Sequence, residues 1–137
     1  MPAITPKLTF ADASVLINAV RGADAARKMR ALAVLGDPNR EFAATKLLRL
    51  EVLPIAVRYK LQKEISFYER FFKSVTNWIE VDSALLDAAY DLACKYGLGA
   101  VDALHLAASE TVGAEFVCAE RTTKPIYAAS LNIVTIY

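Results

Sequence analysis

The run Leu8-Thr9-Phe10-Ala11-Asp12-Ala13-Ser14-Val15-Leu16-Ile17-Asn18-Ala19-Val20 constrains this chain more than any other stretch. It begins as an apolar segment of strand length and continues as an apolar segment with helical character. Asp12, at the junction, is its one ionisable side chain. A strand that feeds directly into a helix is half of a β-α-β unit, the repeating piece of a parallel sheet. In such sheets ligand sites form at the carboxyl edge of the strands, where Asp12 falls. Asp is also a common helix N-cap, and on this stretch alone capping is the better explanation.

The rest of the chain keeps the same alternation. Strands are expected over 7–12, 41–45, 78–81, 115–119 and 132–136. Helices are expected from Asp12 to a fade at Arg21-Gly22, then over 24–35, 47–59, 61–75, 83–96 and 100–112. Pro54 should bend or restart the third of these, because proline removes a helical donor. In helix 24–35 the residues Ala26, Met29, Leu32 and Ala33 are in phase, and in 61–75 the stripe is Leu61, Ile65, Tyr68 and Phe72. Asp82 or Ser83 caps the helix that Gly97 stops, and a short helical turn begins near Pro125. With 137 residues and no linker or repeat, the chain reads as one α/β domain, 1–137.

Apolar residues make up 55% of the chain, against about 45–50% typically, which suggests a sheet covered on both faces or a surface kept for a partner. The net charge of +1 is unevenly spread: residues 1–73 carry +6 and residues 74–137 carry −5. The basic half suits a polyanion-facing surface, and an ordinary solvated set of helix faces accounts for it equally well. Cys94 and Cys118 have no C-x-x-C spacing and read as buried reduced thiols, which disfavours zinc and fits the cytoplasm. The first seven residues lack a signal-peptide pattern, and no apolar run reaches membrane-spanning length.

Three further acids stand in similar isolation. Asp102 lies in the first turn of Ala100-Val101-Asp102-Ala103-Leu104-His105-Leu106-Ala107-Ala108, a helix apolar nearly all round and therefore buried. A buried carboxylate is costly unless a cation, several donors or a metal compensates it. Glu51 is the single acid of Leu47-Leu48-Arg49-Leu50-Glu51-Val52-Leu53-Pro54, and a pair with Arg49 or Lys46 is its plain alternative. Glu120 closes Glu115-Phe116-Val117-Cys118-Ala119-Glu120, the place after strand four that Asp12 holds after strand one. His105 reads as a hydrogen-bonded core residue and is left out of the site. Four carboxylates on one edge would repel unless a hard cation lay among them, and oxygen-only ligation with retained waters suits Mg2+ or Mn2+. Such an ion, bound to acids and a phosphodiester, activates water and offsets the charge of the phosphorane.

Other chemistries fit poorly. An aspartyl-phosphate phosphatase wants a second carboxylate two residues after the first, where Ser14 stands. The single histidine and the lack of a G-x-S-x-G elbow argue against a nucleophilic serine or cysteine hydrolase. No glycine loop of the nucleotide-binding kinds is present.

Phe10-Ala11-Asp12-Ala13-Ser14-Val15-Leu16-Ile17, Glu51, Val101-Asp102-Ala103-Leu104-His105-Leu106-Ala107-Ala108 and the acid closing Phe116-Val117-Cys118-Ala119-Glu120 resemble PIN-domain ribonucleases, above all the single-domain VapC-type toxins. The resemblance runs over essentially the whole chain. It implies a PIN-like three-layer α/β/α sandwich with a central, mostly parallel sheet of four or five strands. It also implies a Mg2+- or Mn2+-dependent endoribonuclease acting on RNA, a homodimer, and an antitoxin that covers the site. Carried over, Asp12, Glu51, Asp102 and Glu120 form the catalytic, metal-binding quartet, and Ser14 is the hydroxyl that supports the first acid. Two positions depart from the family pattern: Cys118-Ala119-Glu120 replaces the usual Thr-Asn-Asp type of sequence, and Ala13 replaces a frequent hydroxyl residue. These departures keep a second reading open, a catalytically weak PIN-like domain that binds RNA or a protein. The helices 24–35 and 61–75 are the expected walls of an antitoxin groove, and core packing accounts for the same apolar stripes equally well.

Overall fold

The computed structural model describes residues 5–130 and 132–137. Met1 to Ile4, part of the segment read as lacking a signal-peptide pattern, lie outside the described residues. Five strands form one sheet: β1 (Lys7–Ala11), β2 (Arg40–Ala44), β3 (Asn77–Trp78), β4 (Glu115–Cys118) and β5 (Ile133–Thr135). Their spatial order is β3-β2-β1-β4-β5 and every pairing is parallel. β1 therefore sits at the centre, buried from Thr9 to Ala11, between β2 (Phe10 opposite Ala43) and β4 (Ala11 opposite Val117). All five carboxyl ends open on the same edge.

Six α-helices cover the sheet: α1 (Ala13–Arg21), α2 (Ala25–Leu35), α3 (Lys46–Arg58), α4 (Gln62–Ser74), α5 (Ser83–Tyr96) and α6 (Ala100–Thr111). The first four pack among themselves, while α5 pairs with α6 and α6 lies on β1 and β4. The core joins Phe10, Val15 and Leu16 to Leu48, Tyr68, Phe72, Leu106 and Phe116. Capping follows the local chemistry. Asp24, Thr45 and Asp82 each accept from a backbone N–H of the following turn, and Gly97 closes α5 with φ of 70°.

Several details differ from expectation. α3 runs through Pro54 as one helix, so it does not restart there. β3 ends at Trp78, not Val81, since its neighbour β2 ends at Ala44 and the last ladder bond runs from Ile79 N–H to Ala44 O. The face that α2 buries is not the one through Ala26, Met29, Leu32 and Ala33. Only Ala31 is fully enclosed, and Met29 is 65% exposed. Cys94 is exposed on the outer side of α5, so only Cys118 is a buried thiol.

Candidate active site

The sheet treats acids at its two edges differently. At the amino edge, Glu115 is neutralised: Lys7 Nζ lies 3.3 Å and Arg40 Nη1 2.9 Å from its carboxylate. Arg40 also donates to Thr9 Oγ1 at 2.8 Å and approaches Asp37 at 3.4 Å, tying three strands together. At the carboxyl edge, Asp12, Asp102 and Glu120 have no Lys or Arg within ion-pair distance among the described residues.

Asp12 follows the last residue of β1, and its N–H donates to Val117 O of β4 at 2.9 Å. It occupies the N-cap position of α1, yet its side chain makes no capping bond. The carboxylate accepts from Ser14 Oγ at 2.9 Å instead. That hydroxyl in turn accepts from Ala119 N–H at 3.1 Å, so Ser14 fastens Asp12 to the end of β4. Burial pushes the Asp12 carboxyl above the ordinary carboxylate range, and the charge of nearby Asp102 pushes the same way. The imidazole of His105, the Ser14 hydroxyl and the Ala13 amide pull in the opposite direction.

Asp102 reaches this place because α6 leads straight into the amino end of β4, which puts its first turn at the carboxyl edge. Half-buried Asp102 thus lies near enough for its charge to act on the buried Asp12 carboxyl. Glu51 lies on α3 in the second turn after β2. Its carboxylate is engaged by His105 Nε2, not by Arg49 or Lys46. His105 is the buried, hydrogen-bonded core residue that the sequence suggested, and its ring touches one candidate acid and lies near another. Its sequence signal was its place three residues after Asp102 in a helix otherwise apolar, so that both fall toward one side.

β1 and β4 are neighbours, but β4 ends at Cys118, one residue earlier than expected, so Glu120 stands two residues beyond its strand where Asp12 stands one beyond β1. The Glu120 backbone oxygen accepts from Thr135 Oγ1 at 2.6 Å, while its half-buried carboxylate is bonded to none of the other three acids. Burial chiefly, with the charge of Asp12 adding, raises the Cys118 thiol against the pull of a hydrogen bond from the Glu120 backbone.

Among the described residues, no group of three or more His, Cys, Asp or Glu side chains is arranged to hold a metal ion. The Asp12–Asp102 pair nevertheless has the donor chemistry of a Mg2+ site, since that ion keeps several waters and binds through one or two carboxylates. Two neighbouring carboxylates without a Lys or Arg partner are what such a cation would stabilise.

A family model described as PIN domain matches residues 9–121. No curated protein matches the chain. Among solved structures, a toxin–antitoxin complex from Klebsiella pneumoniae superposes with a TM-score of 0.73 at 20% identity, covering 94% of this chain and 98% of that one. VapC20 of Mycobacterium tuberculosis, titled a sarcin-ricin loop cleaving toxin, gives 0.67 at 15%, covering 92% and 98%. VapBC2 of Rickettsia felis, bound to a promoter DNA fragment, gives 0.66 at 12%, covering 93% and 96%. At these identities the likeness speaks for the fold. The match of the family model from Thr9 to Arg121 takes in all four candidate acids together with Ser14 and His105, and makes this chain a member of the PIN domain family.

Proposed function

We propose that this protein is a Mg2+- or Mn2+-dependent endoribonuclease and the toxin of a toxin–antitoxin pair. One observation carries the reading. Asp102 lies close enough to Asp12 at the carboxyl edge for its charge to act on it, with no Lys or Arg partner for either among the described residues, although the same sheet neutralises Glu115 at its other edge. Family membership supports a nuclease, and the toxins among the structural neighbours support the biological role.

In this reading Asp12 and Asp102 hold the cation, with Glu51 and Glu120 completing the quartet directly or through water. The bound ion would supply positive charge against a phosphodiester and make water a stronger nucleophile. Ser14 restrains Asp12 through its donated hydrogen bond to Oδ2. Lys46, Arg49 and Arg58 border an open groove of about 1200 Å3 floored by Leu53, Pro54 and Trp78, where cations beside an exposed indole suit single-stranded RNA.

For the antitoxin, a smaller hollow of about 280 Å3 lies between α2 and α4, lined by Leu32, Leu35, Phe67 and Phe71 with Arg70 at its side. These are the two helices expected to form that groove. A homodimer belongs to the same proposal, with sedimentation as its measure. No helix among the described residues is long and apolar enough to cross a membrane.

The departures at Ala13 and Cys118-Ala119-Glu120, and the lack among the described residues of a three-residue group arranged to hold a metal, favour the alternative, a PIN-like domain that binds RNA and cuts little. Incubation of the purified protein with structured RNA and Mg2+, with EDTA and Asp12→Asn controls, separates the two. The ribonuclease reading requires cleavage that both controls abolish. Binding without cleavage supports the alternative, and cleavage that survives either control sinks the proposed mechanism.

A further inference from the structure

We infer that His105 is a positioning residue that sets the affinity of the site for its divalent cation by fixing the carboxylate of Glu51. The inference rests on the metal-site reading above. His105 is fully buried and its ring is tilted against Phe10, with centroids 5.3 Å apart. Nε2 meets Glu51 Oε1, while Nδ1 is buried with no hydrogen-bond partner. An ionised carboxylate only accepts, so Nε2 presents its N–H to Glu51.

The direction of the dependence follows from the burial of the two partners. The Glu51 side chain retains 27% of its exposure and can be solvated without help. His105 has no exposure and leaves one nitrogen unsatisfied, a desolvation cost that a leucine would avoid on a helix built from Leu104, Leu106, Ala107 and Ala108. Packing therefore does not explain an imidazole here. Its effect is on Glu51, a long side chain whose rotamers it restricts, drawn from α3 toward the helix that carries Asp102. Partners that orient a ligating carboxylate in this way influence metal affinity strongly.

His105 is the chain's only histidine, so its imidazole signals can be assigned without ambiguity. Heteronuclear NMR of the metal-free protein is expected to show a proton on Nε2, with a resonance that moves in Glu51→Gln. Titration calorimetry with Mn2+ is expected to show His105→Leu, folded by circular dichroism, binding about 10–100-fold more weakly than wild type. His105→Gln, which keeps a donor, should recover most of that loss. His105→Leu should add nothing once Glu51→Gln is already present.

A folded His105→Leu protein that binds Mn2+ within about twofold of wild type overturns the inference and leaves the metal site standing. Wild-type protein that binds no Mn2+ overturns the metal reading itself, and this inference with it. Should His105→Leu fail to fold, the NMR experiment decides. The Nδ1–H tautomer, or an Nε2–H signal indifferent to Glu51→Gln, refutes the proposal.

Discussion

Replacing Ser14 by alanine removes one hydroxyl that serves two groups. It donates to Asp12 Oδ2 at 2.9 Å and accepts from Ala119 N–H at 3.1 Å. A hydrogen bond to a charged group contributes about 1.5–3 kcal/mol, and an amide deprived of its acceptor costs about 1 kcal/mol or more when water cannot replace it. Ser14 and Ala119 are only half-buried, so water recovers part of the loss. We therefore expect about 2 kcal/mol of destabilisation. For a domain of this length that is a fall in Tm of about 6–8 °C. The assay is urea unfolding at neutral pH in chelator, run as a double-mutant cycle with Asp12→Asn. Because the Asp12 bond owes its strength to the charge on the carboxylate, the penalty should shrink by about 1 kcal/mol in the Asn background. A Ser14→Ala protein within about 0.5 kcal/mol of wild type would refute the reasoning, as would an equal penalty in both backgrounds.

Asp12→Asn itself should abolish RNA cleavage yet raise Tm in chelator, since it removes a buried charge held against Asp102. The folded carboxyl lies above its unfolded value of 3.8, so ionisation opposes folding above the folded pKa. The stability gap between mutant and wild type should therefore be full at neutral pH and close as pH falls through that folded value toward 3.8; a gap independent of pH counts against this account. Mg2+ should raise the Tm of wild type, while Asp12→Asn should gain far less; equal gains would place the ion elsewhere. Arg40→Ala should cost about 2–3 kcal/mol by leaving Glu115 to Lys7 alone, with Mn2+ affinity unchanged because the pair lies at the opposite edge. Of the two thiols, Cys94 should react rapidly with a disulfide reagent and Cys118 only on unfolding, since Cys118 is buried and its thiol is raised by that burial. Two fast thiols would contradict the placement of β4.

Alternation of short apolar runs with amphipathic stretches was enough to determine a parallel α/β sheet. Burial on both faces demands uninterrupted apolar strands, and each crossover demands a helix. The places of Asp12 and Glu120, at the ends of strands one and four, followed from the same pattern, because a junction between elements is a local property. Helix orientation about its own axis was less legible. In α2 so many positions are apolar that periodicity selected the face of Met29, whereas the core takes Ala31. Which side chain meets which across the carboxyl edge was decided only in three dimensions. Glu51 had basic neighbours close in sequence, yet its partner is His105, 54 residues away on another helix. The sequence by itself determined that isolated acids stand at element junctions, since that depends on short-range order. Only the tertiary structure decided that Asp102 comes near Asp12 and that an imidazole holds Glu51, because the packing of α3 and α6 around one sheet edge sets those positions.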